Sequence, residues 1–317
     1  MSATNPQPPD AVDPSRSAPR CGFVALLGAP NAGKSTLLNQ LVGAKVSIVT
    51  PKVQTTRSRV LGIAIHEQTQ LIFVDTPGIF EPRRRLDRAM VAAAWAGAKD
   101  ADAIVLLGDA ERLTGGSIDG NTQRIVDGLK AANKKAVLAL NKIDLVPRGK
   151  LLEIAATMNA TGLFTDIFMV SALTGDGVAD LRSTLAARMP EGPWHFPEDQ
   201  LTDLPMRLLA AETTREQLFL QLHQELPYAL TVSTDEWTDF KDGSVRIKQT
   251  IIVERESQRA IVLGKGGARI KAIGAASRKE LEAFLARKVH LFLFVKVRDD
   301  WSDNREHFNE WGLDYDA

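Results

Sequence analysis

Short apolar runs alternate with longer amphipathic stretches in the first part of the chain, from Gly22 to about Pro190. The segments between most of the runs contain 10–20 residues of helix-like sequence. The apolar runs are Phe23–Leu27, Leu71–Val74, Ala103–Leu107, Ala136–Leu140 and Ile167–Val170. The pattern predicts an α/β domain with a mostly parallel sheet and helices on both faces. The run Val60–Ile65 predicts one further strand, antiparallel to Leu71–Val74.

The pattern changes beyond Pro190. Residues 191–204 carry proline and glycine without periodicity, which indicates a linker. The apolar positions that follow predict a separate α+β domain in the order α-β-β-α-α-β. Its elements are Pro205–Leu226, Ala229–Trp237, Val245–Glu254, two helices on either side of Gly264–Gly267, and Val289–Val297. We therefore expect a tail at 1–20, domains at 21–190 and 205–300, and an acidic segment at 301–317.

Composition adds only broad limits to this picture. The chain has 317 residues and zero formal net charge, which suits two globular domains without an overall basic signature. Its single cysteine, Cys21, excludes a disulfide framework within the chain and favours a reducing compartment. No apolar stretch reaches the ~20 residues of a membrane span, and Met1–Arg20 lacks the apolar core of a signal peptide. We expect a disordered tail and a cytoplasmic protein.

The strongest chemical signal is the stretch Gly28-Ala-Pro-Asn-Ala-Gly-Lys-Ser35, which fits G-x-x-x-x-G-K-[S/T]. It lies between a predicted strand and a predicted helix, as a phosphate-binding loop requires. Glycines let successive backbone N–H groups point at a phosphate, and the helix adds its positive N-terminal end. Lys34 would reach the β- and γ-phosphates, and the Ser35 hydroxyl would bind Mg²⁺.

Three further segments follow predicted strands, where ligands bind in this architecture. In Asp75–Gly78 the carboxylate can hold Mg²⁺ through water, and Gly78 can offer an N–H to the γ-phosphate. In Asn141–Asp144 the Asp144 carboxylate can accept hydrogen bonds from N1–H and the 2-amino group of guanine. Adenine offers neither donor, so it would leave the carboxylate unpaired. The segment Ser171–Leu173 would place a backbone N–H near the guanine O6.

These segments together resemble the translation-factor-like P-loop GTPases. The stretch Gln54–Arg57 stands where that family carries a switch threonine, and the family pattern implies that Thr56 completes the Mg²⁺ shell. Thr55 is the competing choice. The resemblance also implies two mobile switches, Val46–Arg57 and Ile79–Ala93, which the γ-phosphate orders and hydrolysis releases.

The predicted nucleotide site therefore combines phosphate, metal and base contacts. The residues expected to bind GTP are Gly28, Ala29, Pro30, Asn31, Ala32, Gly33, Lys34, Ser35, Thr36, Asp75, Thr76, Pro77, Gly78, Ile79, Asn141, Lys142, Asp144, Ser171, Ala172 and Leu173. The expected metal ligands are Ser35, Thr56 and Asp75. The expected catalytic residues are Asn31, Lys34, Thr56 and Gly78.

The sequence departs from the Ras-like pattern directly after Gly78. Ras-like enzymes carry a water-orienting glutamine there, whereas this chain has Ile79, which has no polar group. Asn31 resembles the asparagine with which related GTPases bind an activating K⁺; a loop-capping role is the alternative. Arg83–Arg85 in the second switch is either a phosphate or RNA contact or a solvated charge run. We expect slow intrinsic hydrolysis.

The second domain carries Gly264-Lys-Gly-Gly267 between two predicted helices. From Arg259 to Arg298, ten basic residues stand against two acidic ones, a local footprint for phosphate. This arrangement resembles a type II KH domain, whose GxxG loop clamps about four nucleotides; a helix-capping turn is the simpler alternative. The residues expected to bind RNA are Gly264, Lys265, Gly266, Gly267, Arg269 and Lys271. From Asp299 onward the charge reverses, and this acidic tail either competes for the basic face or serves solubility.

A GTPase domain joined to a type II KH domain resembles the Era family of bacterial GTPases over roughly residues 22–300. The resemblance implies binding near the 3′ end of small-subunit ribosomal RNA, assistance in assembly of that subunit, a monomeric state and contact with the inner membrane face that is at most peripheral. Two other classes compete with this reading. A metabolic P-loop kinase would not need the guanine-specific segments, and a constitutive RNA-binding module would not need an intact nucleotide site.

Overall fold

The computed structural model of the chain describes residues 18–52, 55–222 and 226–317. The predicted tail therefore lies almost entirely outside the described residues, as do Val53 and Gln54 of the predicted first switch. Across those described ranges, none of the helices is both long and apolar enough to traverse a bilayer.

The first domain is a six-stranded sheet in the order β2-β3-β1-β4-β5-β6, in which only β2 runs antiparallel to its neighbour. Its strands are β1 Arg20–Gly28, β2 Val60–His66, β3 Thr69–Asp75, β4 Ala103–Asp109, β5 Ala136–Asn141 and β6 Phe164–Met169. Its helices are α1 Lys34–Val42, α2 Arg85–Lys99, α3 Gly120–Ala131, α4 Arg148–Asn159 and α5 Val178–Arg188. The predicted α/β architecture is confirmed.

Two apolar cores flank this sheet because its strands are apolar on both sides. On one face, Leu37 and Leu41 of α1 and Leu181 of α5 pack against β1 and β3. On the other, α2, α3 and α4 supply Ala94, Ile125, Leu151 and their neighbours. The carboxyl ends of β1, β3, β4 and β5 are left uncovered together at one edge, where the loops that carry the predicted site begin.

The second domain has a three-stranded sheet, β7-β8-β9, with one antiparallel and one parallel pair. Its elements are α6 Met206–Gln221, β7 Leu230–Asp239, β8 Val245–Val253, α7 Glu256–Leu263, α8 Ala268–Leu285 and β9 Val289–Val297. Leu218, Val262 and Ile273, one from each helix, pack on the same face of the sheet. The predicted α-β-β-α-α-β order is confirmed.

The largest differences from the predicted boundaries are at β1, β6 and α6. β1 begins at Arg20, a residue assigned to the tail, because Arg20 pairs in register with Thr69. β6 begins at Phe164 rather than Ile167 and ends at Met169. It is the edge strand and only half buried, so polar residues occur within it and the apolar run is shorter than the strand. α6 ends at Gln221 instead of Leu226, since Leu222 already has an extended backbone.

The predicted linker is packed along the edge of the first sheet. Ile63 of the edge strand β2 donates its N–H to Leu201 O at 2.9 Å, and Leu61 N–H donates to Asp203 Oδ1 at 3.1 Å. Farther back, Trp194 and Phe196 pack against the buried Ile72 of β3. Residues 191–204 therefore form a strap fixed to the first domain.

The acidic C-terminal segment also packs, through its aromatic side chains. Trp301, Phe308 and Trp311 are 1%, 0% and 5% exposed. Together with Leu313 they form one apolar cluster with Met90 of α2 and Ile252 of β8; a short helix, α9 (Arg305–Glu310), lies within the segment. Of the two alternatives for this segment, competition for the basic GxxG face is not supported, because its apolar residues bind it to α2 and β8.

Candidate functional site

The loop between β1 and α1 has the shape of an anion cradle. Gly33 adopts a φ of 97°, and a Cβ there would lie 2.2 Å from Asn141 Nδ2, so only glycine fits. The loop then opens into α1, whose first residue is Lys34. Lys34 is buried, and its Nζ donates to Gly28 O and Ala29 O at 3.2 Å each. The ammonium is therefore held inside the loop.

Three predicted metal ligands converge beside this loop. Ser35 Oγ donates to Asp75 Oδ2 at 2.7 Å and lies 2.9 Å from Thr56 Oγ1. Thr56 Oγ1 lies 3.4 Å from the same Asp75 Oδ2. A fourth hydroxyl, that of Ser47, also donates to Asp75 Oδ2, at 3.0 Å. The opposite carboxylate atom, Asp75 Oδ1, is buried without a hydrogen-bond partner among the described residues.

The competing threonine lies elsewhere. Thr55 Oγ1 lies 2.7 Å from Thr50 Oγ1 and donates to Lys52 O at 2.8 Å, so its side chain faces the switch itself. Only Thr56 of the two contacts Ser35 and Asp75. The geometry therefore favours Thr56 over Thr55 at the predicted metal position.

Burial sets the charge balance in this cluster. Desolvation lowers the pKa of Lys34 to about 8, and the neighbouring Asp75 opposes that shift. Desolvation also raises the pKa of Asp75, against the opposing influence of Lys34 and of the three hydroxyls. A divalent cation at this position would favour the charged form of Asp75, and a polyphosphate would favour the charged form of Lys34.

The base side is braced by Asn141, at the end of β5. Its Nδ2 donates to Ala32 O in the phosphate loop at 2.8 Å, and its Oδ1 accepts the Ala172 N–H at 2.9 Å. Lys142 has a φ of 66°, and its Nζ donates to Asp109 Oδ2 at 2.6 Å. Asp144, in the 3-10 turn that follows, is exposed. The loop after β5 is therefore tied to the phosphate loop and to the segment after β6.

Two predicted contacts need correction. The Ile79 side chain is 0% exposed in the core beside Ala94, and its N–H donates to Gly28 O at 3.1 Å, so neither group is free for a nucleotide. The Thr76 hydroxyl is also buried, where it donates to Leu26 O at 2.8 Å. Gly78 keeps its predicted position: a Cβ on it would lie 2.9 Å from Pro30 Cα, so the loop after β3 approaches the phosphate loop closely.

Asn31, the predicted K⁺ ligand, adopts a φ of 64°. Its Nδ2 donates to Pro51 O of the first switch at 2.9 Å. The side chain thus bridges the phosphate loop and the switch, while its carbonyl oxygen takes no part in that bond.

The flank of the first switch is joined to both long helices of the second domain. Lys45 Nζ pairs with Glu216 of α6, and with Glu280 of α8 at 2.9 Å. Val49 N–H donates to Glu216 Oε1 at 2.8 Å. Glu216 is 3% exposed, whereas the side chains of Lys45 and Glu280 are 47% and 35% exposed, so only the Glu216 side of these contacts is desolvated.

The middle of the same switch reaches the end of α6. Lys52 Nζ donates to the carbonyls of Phe219 and Leu222, and Arg215 Nη2 donates to the carbonyl of Thr55. The first switch therefore lies between the nucleotide cleft and the second domain.

The predicted RNA loop is an exposed turn between α7 and α8. Gly264, Gly266 and Gly267 all have positive φ, from 59° to 76°. A Cβ on Gly264 would lie 2.7 Å from Arg269 Cβ. Lys265 is exposed, and so is Ile261 (46%) at the end of α7. The glycine backbone of the turn, which carries no side chains, is therefore flanked by one charged and one apolar exposed side chain. Arg269 Nη1 donates to Ile261 O at 2.7 Å, so it also closes the end of α7.

Three residues at the site escaped the sequence analysis. Asn39 Oδ1 accepts the N–H groups of Val46 and Ser47 and so fixes the start of the switch on α1. Ser47 itself joins the Asp75 cluster. Arg112 Nη1 donates to Pro30 O at 3.2 Å. None of them stands in a motif, and their partners lie 7 to 82 positions away, so a single sequence carries no signal for them.

Comparison with known proteins gives matches to both domains. A family model described as a 50S ribosome-binding GTPase matches residues 23–142, and one described as a KH domain matches residues 225–302. GTPase Era of Sinorhizobium medicae is 62% identical over 93% of this chain and 94% of that protein. GTPase Era of Caulobacter vibrioides is 58% identical over 95% of this chain and 98% of that protein.

Solved structures match over both domains at once. A crystal structure of an Aquifex aeolicus Era variant bound to GDP and AlF₄⁻ has a TM-score of 0.87 and 40% identity, covering 92% of this chain and 99% of that one. A crystal structure of Era with MgGDPNP and nucleotides 1506–1542 of 16S ribosomal RNA also has a TM-score of 0.87 and 40% identity, over 93% and 99% of the two chains. With such identity over almost the full length of its relatives and the same order of domains, the chain belongs to the Era family of GTPases.

Proposed function

We propose that the protein binds and hydrolyses GTP to GDP and phosphate, and that its KH domain binds the 3′ region of 16S ribosomal RNA to assist assembly of the small ribosomal subunit. One observation carries the link between the two activities. The switch that brings Thr56 to Ser35 and Asp75 is held on its other side by α6 and α8 of the KH domain. A change in the switch on hydrolysis therefore reaches the RNA-binding domain directly.

In this proposal the cleft binds GTP through its phosphates and its base. The phosphate loop and Lys34 hold the β- and γ-phosphates, and Gly78 contributes the flexible main chain at the γ-phosphate. Asp144 reads N1–H and the 2-amino group of guanine, while Asn141 braces the loops around the base. Leu173 is 76% exposed, and in this proposal it and the stem of Lys142 cover the faces of the ring.

Mg²⁺ is the proposed cofactor, and the donor set suits it. Ser35, Thr56 and Asp75 offer only oxygen atoms, which a hard divalent cation prefers, and Asp75 Oδ1 is a buried acceptor without a partner among the described residues. In the related Era complex the nucleotide is MgGDPNP. When bound with the nucleotide, the cation neutralises charge that develops on the phosphates. Ser35 and Thr56 would be direct ligands, and Asp75 would act through water.

We propose K⁺ as an activating cation at Asn31. The Asn31 Oδ1 atom is a carbonyl oxygen at the mouth of the phosphate loop, while the Nδ2 atom is bonded to the switch. The residue at the position of the Ras-like glutamine, Ile79, has no polar group and lies in the core. Backbone groups of the switches would then hold the attacking water, which supports slow intrinsic hydrolysis.

The KH domain is the proposed RNA-binding part. Its three glycines with positive φ leave a stretch of bare backbone beside Lys265, which suits close approach of a phosphate chain. The family-model description names the 50S particle, whereas the related complex contains nucleotides of 16S RNA. The complex includes the KH domain, so we follow it in proposing the small subunit. We further propose that the protein acts as a monomer in the cytoplasm, with membrane contact at most peripheral.

The test measures binding of a fluorescent RNA that matches the 3′ end of 16S RNA. We expect binding about tenfold tighter with a Mg²⁺–GTP analogue than with GDP or without nucleotide, since such couplings are commonly about 1–3 kcal/mol. Lys265→Asp should weaken binding in all three states, and Lys150→Asp, a charge reversal on the first domain, should not. Equal binding of the unaltered protein in all three states would favour the constitutive RNA-binding module. Absence of GTP hydrolysis would contradict the enzymatic half.

A further inference from the structure

Arg57 is next to the predicted metal ligand Thr56, and the two side chains face opposite sides of the segment. Thr56 Oγ1 faces the cleft, 2.9 Å from Ser35 Oγ. The Arg57 guanidinium faces the KH domain, where Nη1 donates to Leu230 O at 2.7 Å and Nη2 donates to Tyr228 O at 3.3 Å. The two side chains therefore have partners on opposite sides, and because their residues are adjacent, a shift of one is passed to the other through the shared backbone.

Two tryptophans of the C-terminal segment cover the same guanidinium. Arg57 Cζ lies 5.3 Å from the ring centre of Trp301 and 6.0 Å from that of Trp311, within the range of cation–π attraction. The two indoles meet edge to face at 6.3 Å. Arg57 is 3% exposed. The two carbonyls and the two indoles thus form a cage around a charged group that has left water.

The two tryptophans of the cage pack against one element of each domain. Trp301 and Trp311 pack in the same cluster as Met90 of α2, in the second switch, and Ile252 of β8, in the KH domain. A buried charge is strongly tied to its partners, because leaving them unpaired in the interior is costly. The position of the Arg57 guanidinium, and with it the backbone at Thr56, is therefore set by the KH domain and the C-terminal segment together.

We propose that Arg57 is a positioning residue for GTP hydrolysis, and that its cage of Tyr228 O, Leu230 O, Trp301 and Trp311 holds Thr56 at Ser35 and Asp75. This rests on the proposed function, because it takes Thr56 as the Mg²⁺ ligand of the GTP-bound state. Residues after position 225 then position a metal site whose ligands, Ser35, Thr56 and Asp75, all precede position 80. GDP binding, which does not need the switch threonine, is independent of the cage.

The experiment uses the full chain and three substitutions of the cage. Arg57→Met removes the charge and both donated hydrogen bonds, Arg57→Lys keeps the charge and a donor, and Trp301→Leu removes one indole while keeping an apolar side chain. The matched control is Arg305→Met, since Arg305 also stacks on a C-terminal ring, that of Tyr315 at 5.0 Å, but is exposed. Thermal unfolding is recorded for each variant. The measured quantities are kcat, KM for GTP, the Mg²⁺ concentration at half-maximal rate, and Kd for GDP.

For Arg57→Met we expect kcat to fall about tenfold to a hundredfold, since small misplacements at a reacting centre have effects of that size. The Mg²⁺ requirement should rise, while Kd for GDP stays within about twofold. Arg57→Lys should recover part of kcat, and Trp301→Leu should fall between Arg57→Lys and Arg57→Met. Arg305→Met should match the unaltered protein in every measurement.

Two results would overturn the proposal. One is an Arg57→Met protein with unaltered kcat and Mg²⁺ dependence. The other is a loss of GDP affinity in parallel with kcat and without rescue by lysine, which is what general loosening of the fold would produce. If Arg57→Met does not fold, Arg57→Lys and Trp301→Leu decide by the same measurements. Absence of hydrolysis in the unaltered protein would instead contradict the proposed function.

Discussion

The two ends of the nucleotide cleft are built in different ways. At the base end, Asn141 links the phosphate loop to the segment after β6, and all three lie within the first domain. At the γ-phosphate end, Thr56 stands on a switch that is bonded to α6 and caged by the C-terminal tryptophans. One end is therefore self-contained, and the other is shared among three parts of the chain.

The difference separates recognition from timing. A base pocket formed by one domain keeps its geometry whichever way the second domain lies. A γ-phosphate site whose switch touches the KH domain can transmit the presence of that phosphate, because the same residues have contacts on both sides. A ligand shifts an equilibrium only by its differential affinity for the two states, and in the proposed site only the switch end offers contacts that would differ between GTP and GDP.

We expect the largest effect from a substitution at the base end of the cleft. In Asp144→Asn the amide replaces a carboxylate acceptor, which disfavours the guanine 2-amino group and favours the 2-oxo group of xanthine. We expect GTP affinity to fall about 100-fold and XTP affinity to rise, since mismatched polar contacts in such sites have effects of at least that size. Competition binding with GTP, XTP and ATP measures this.

The Asp144→Asn substitution should leave the coupling between nucleotide and RNA binding intact. With XTP at saturation, the variant should bind RNA as tightly as the unaltered protein does with GTP, because the switch end is unchanged. A variant that binds XTP but has lost nucleotide-dependent RNA binding would show that the base end is also part of the coupling. Unchanged selectivity for GTP would contradict the assignment of Asp144.

A middle-sized effect tests the cation at the switch end. Replacing Na⁺ by K⁺ at constant ionic strength should raise kcat about tenfold, since a fixed charge beside the transferred phosphate acts on the transition state. Kd for GDP should stay the same in both salts. In Asn31→Gly, which tolerates the positive φ of 64°, the difference between the salts should vanish. Equal rates of the unaltered protein in K⁺ and Na⁺ would exclude the K⁺ site.

The smallest effect concerns the bond between the switch flank and the KH helices. Lys45→Met removes the ion pairs with Glu216 and Glu280. We expect the ratio of RNA affinities in the GTP-analogue and GDP states to fall about threefold, because partly exposed pairs contribute modestly. GDP affinity should not change.

The control for that variant is Lys150→Met, which removes an exposed pair with Glu153 at 2.8 Å within α4. It should leave the ratio of RNA affinities as it is in the unaltered protein. An unchanged ratio in Lys45→Met would locate the coupling in the other switch contacts.

The sequence allowed much of the fold to be predicted where the signal is local. β9 was predicted at its observed bounds, Val289–Val297, because an apolar run between charged residues marks both ends. The phosphate loop could be placed because strand, glycines and helix are consecutive. The predicted base and phosphate residues do meet at one edge of the sheet, while their roles stay predictions.

Contacts between distant segments could not be predicted. Acidic residues at 301–317 suggested a solvated tail, although Trp301, Phe308 and Trp311 are the residues that decide where it packs. Nothing in the sequence around Arg57 indicates that its partners lie 171 and 173 positions away. Similarly, the proline-rich composition of 191–204 suggested a free linker, yet backbone hydrogen bonds to an edge strand do not depend on side-chain pattern.

The strap leaves only a short connection between the first domain and the long helix α6. It is fixed to β2 as far as Asp203, and α6 begins at Met206, so only Leu204 and Pro205 lie between the anchored chain and the helix. The 16 residues of α6 span about 24 Å at 1.5 Å per residue. A rotation of α6 by about 10° about its N-terminal end displaces its C-terminal end by about 4 Å, because the displacement is the helix length multiplied by the angle. Because that end of α6 is bonded to Lys52 of the first switch, a rotation of this size would have to break the hydrogen bonds from Lys52 to Phe219 and Leu222, so the orientation of the helix is tied to the position of the switch.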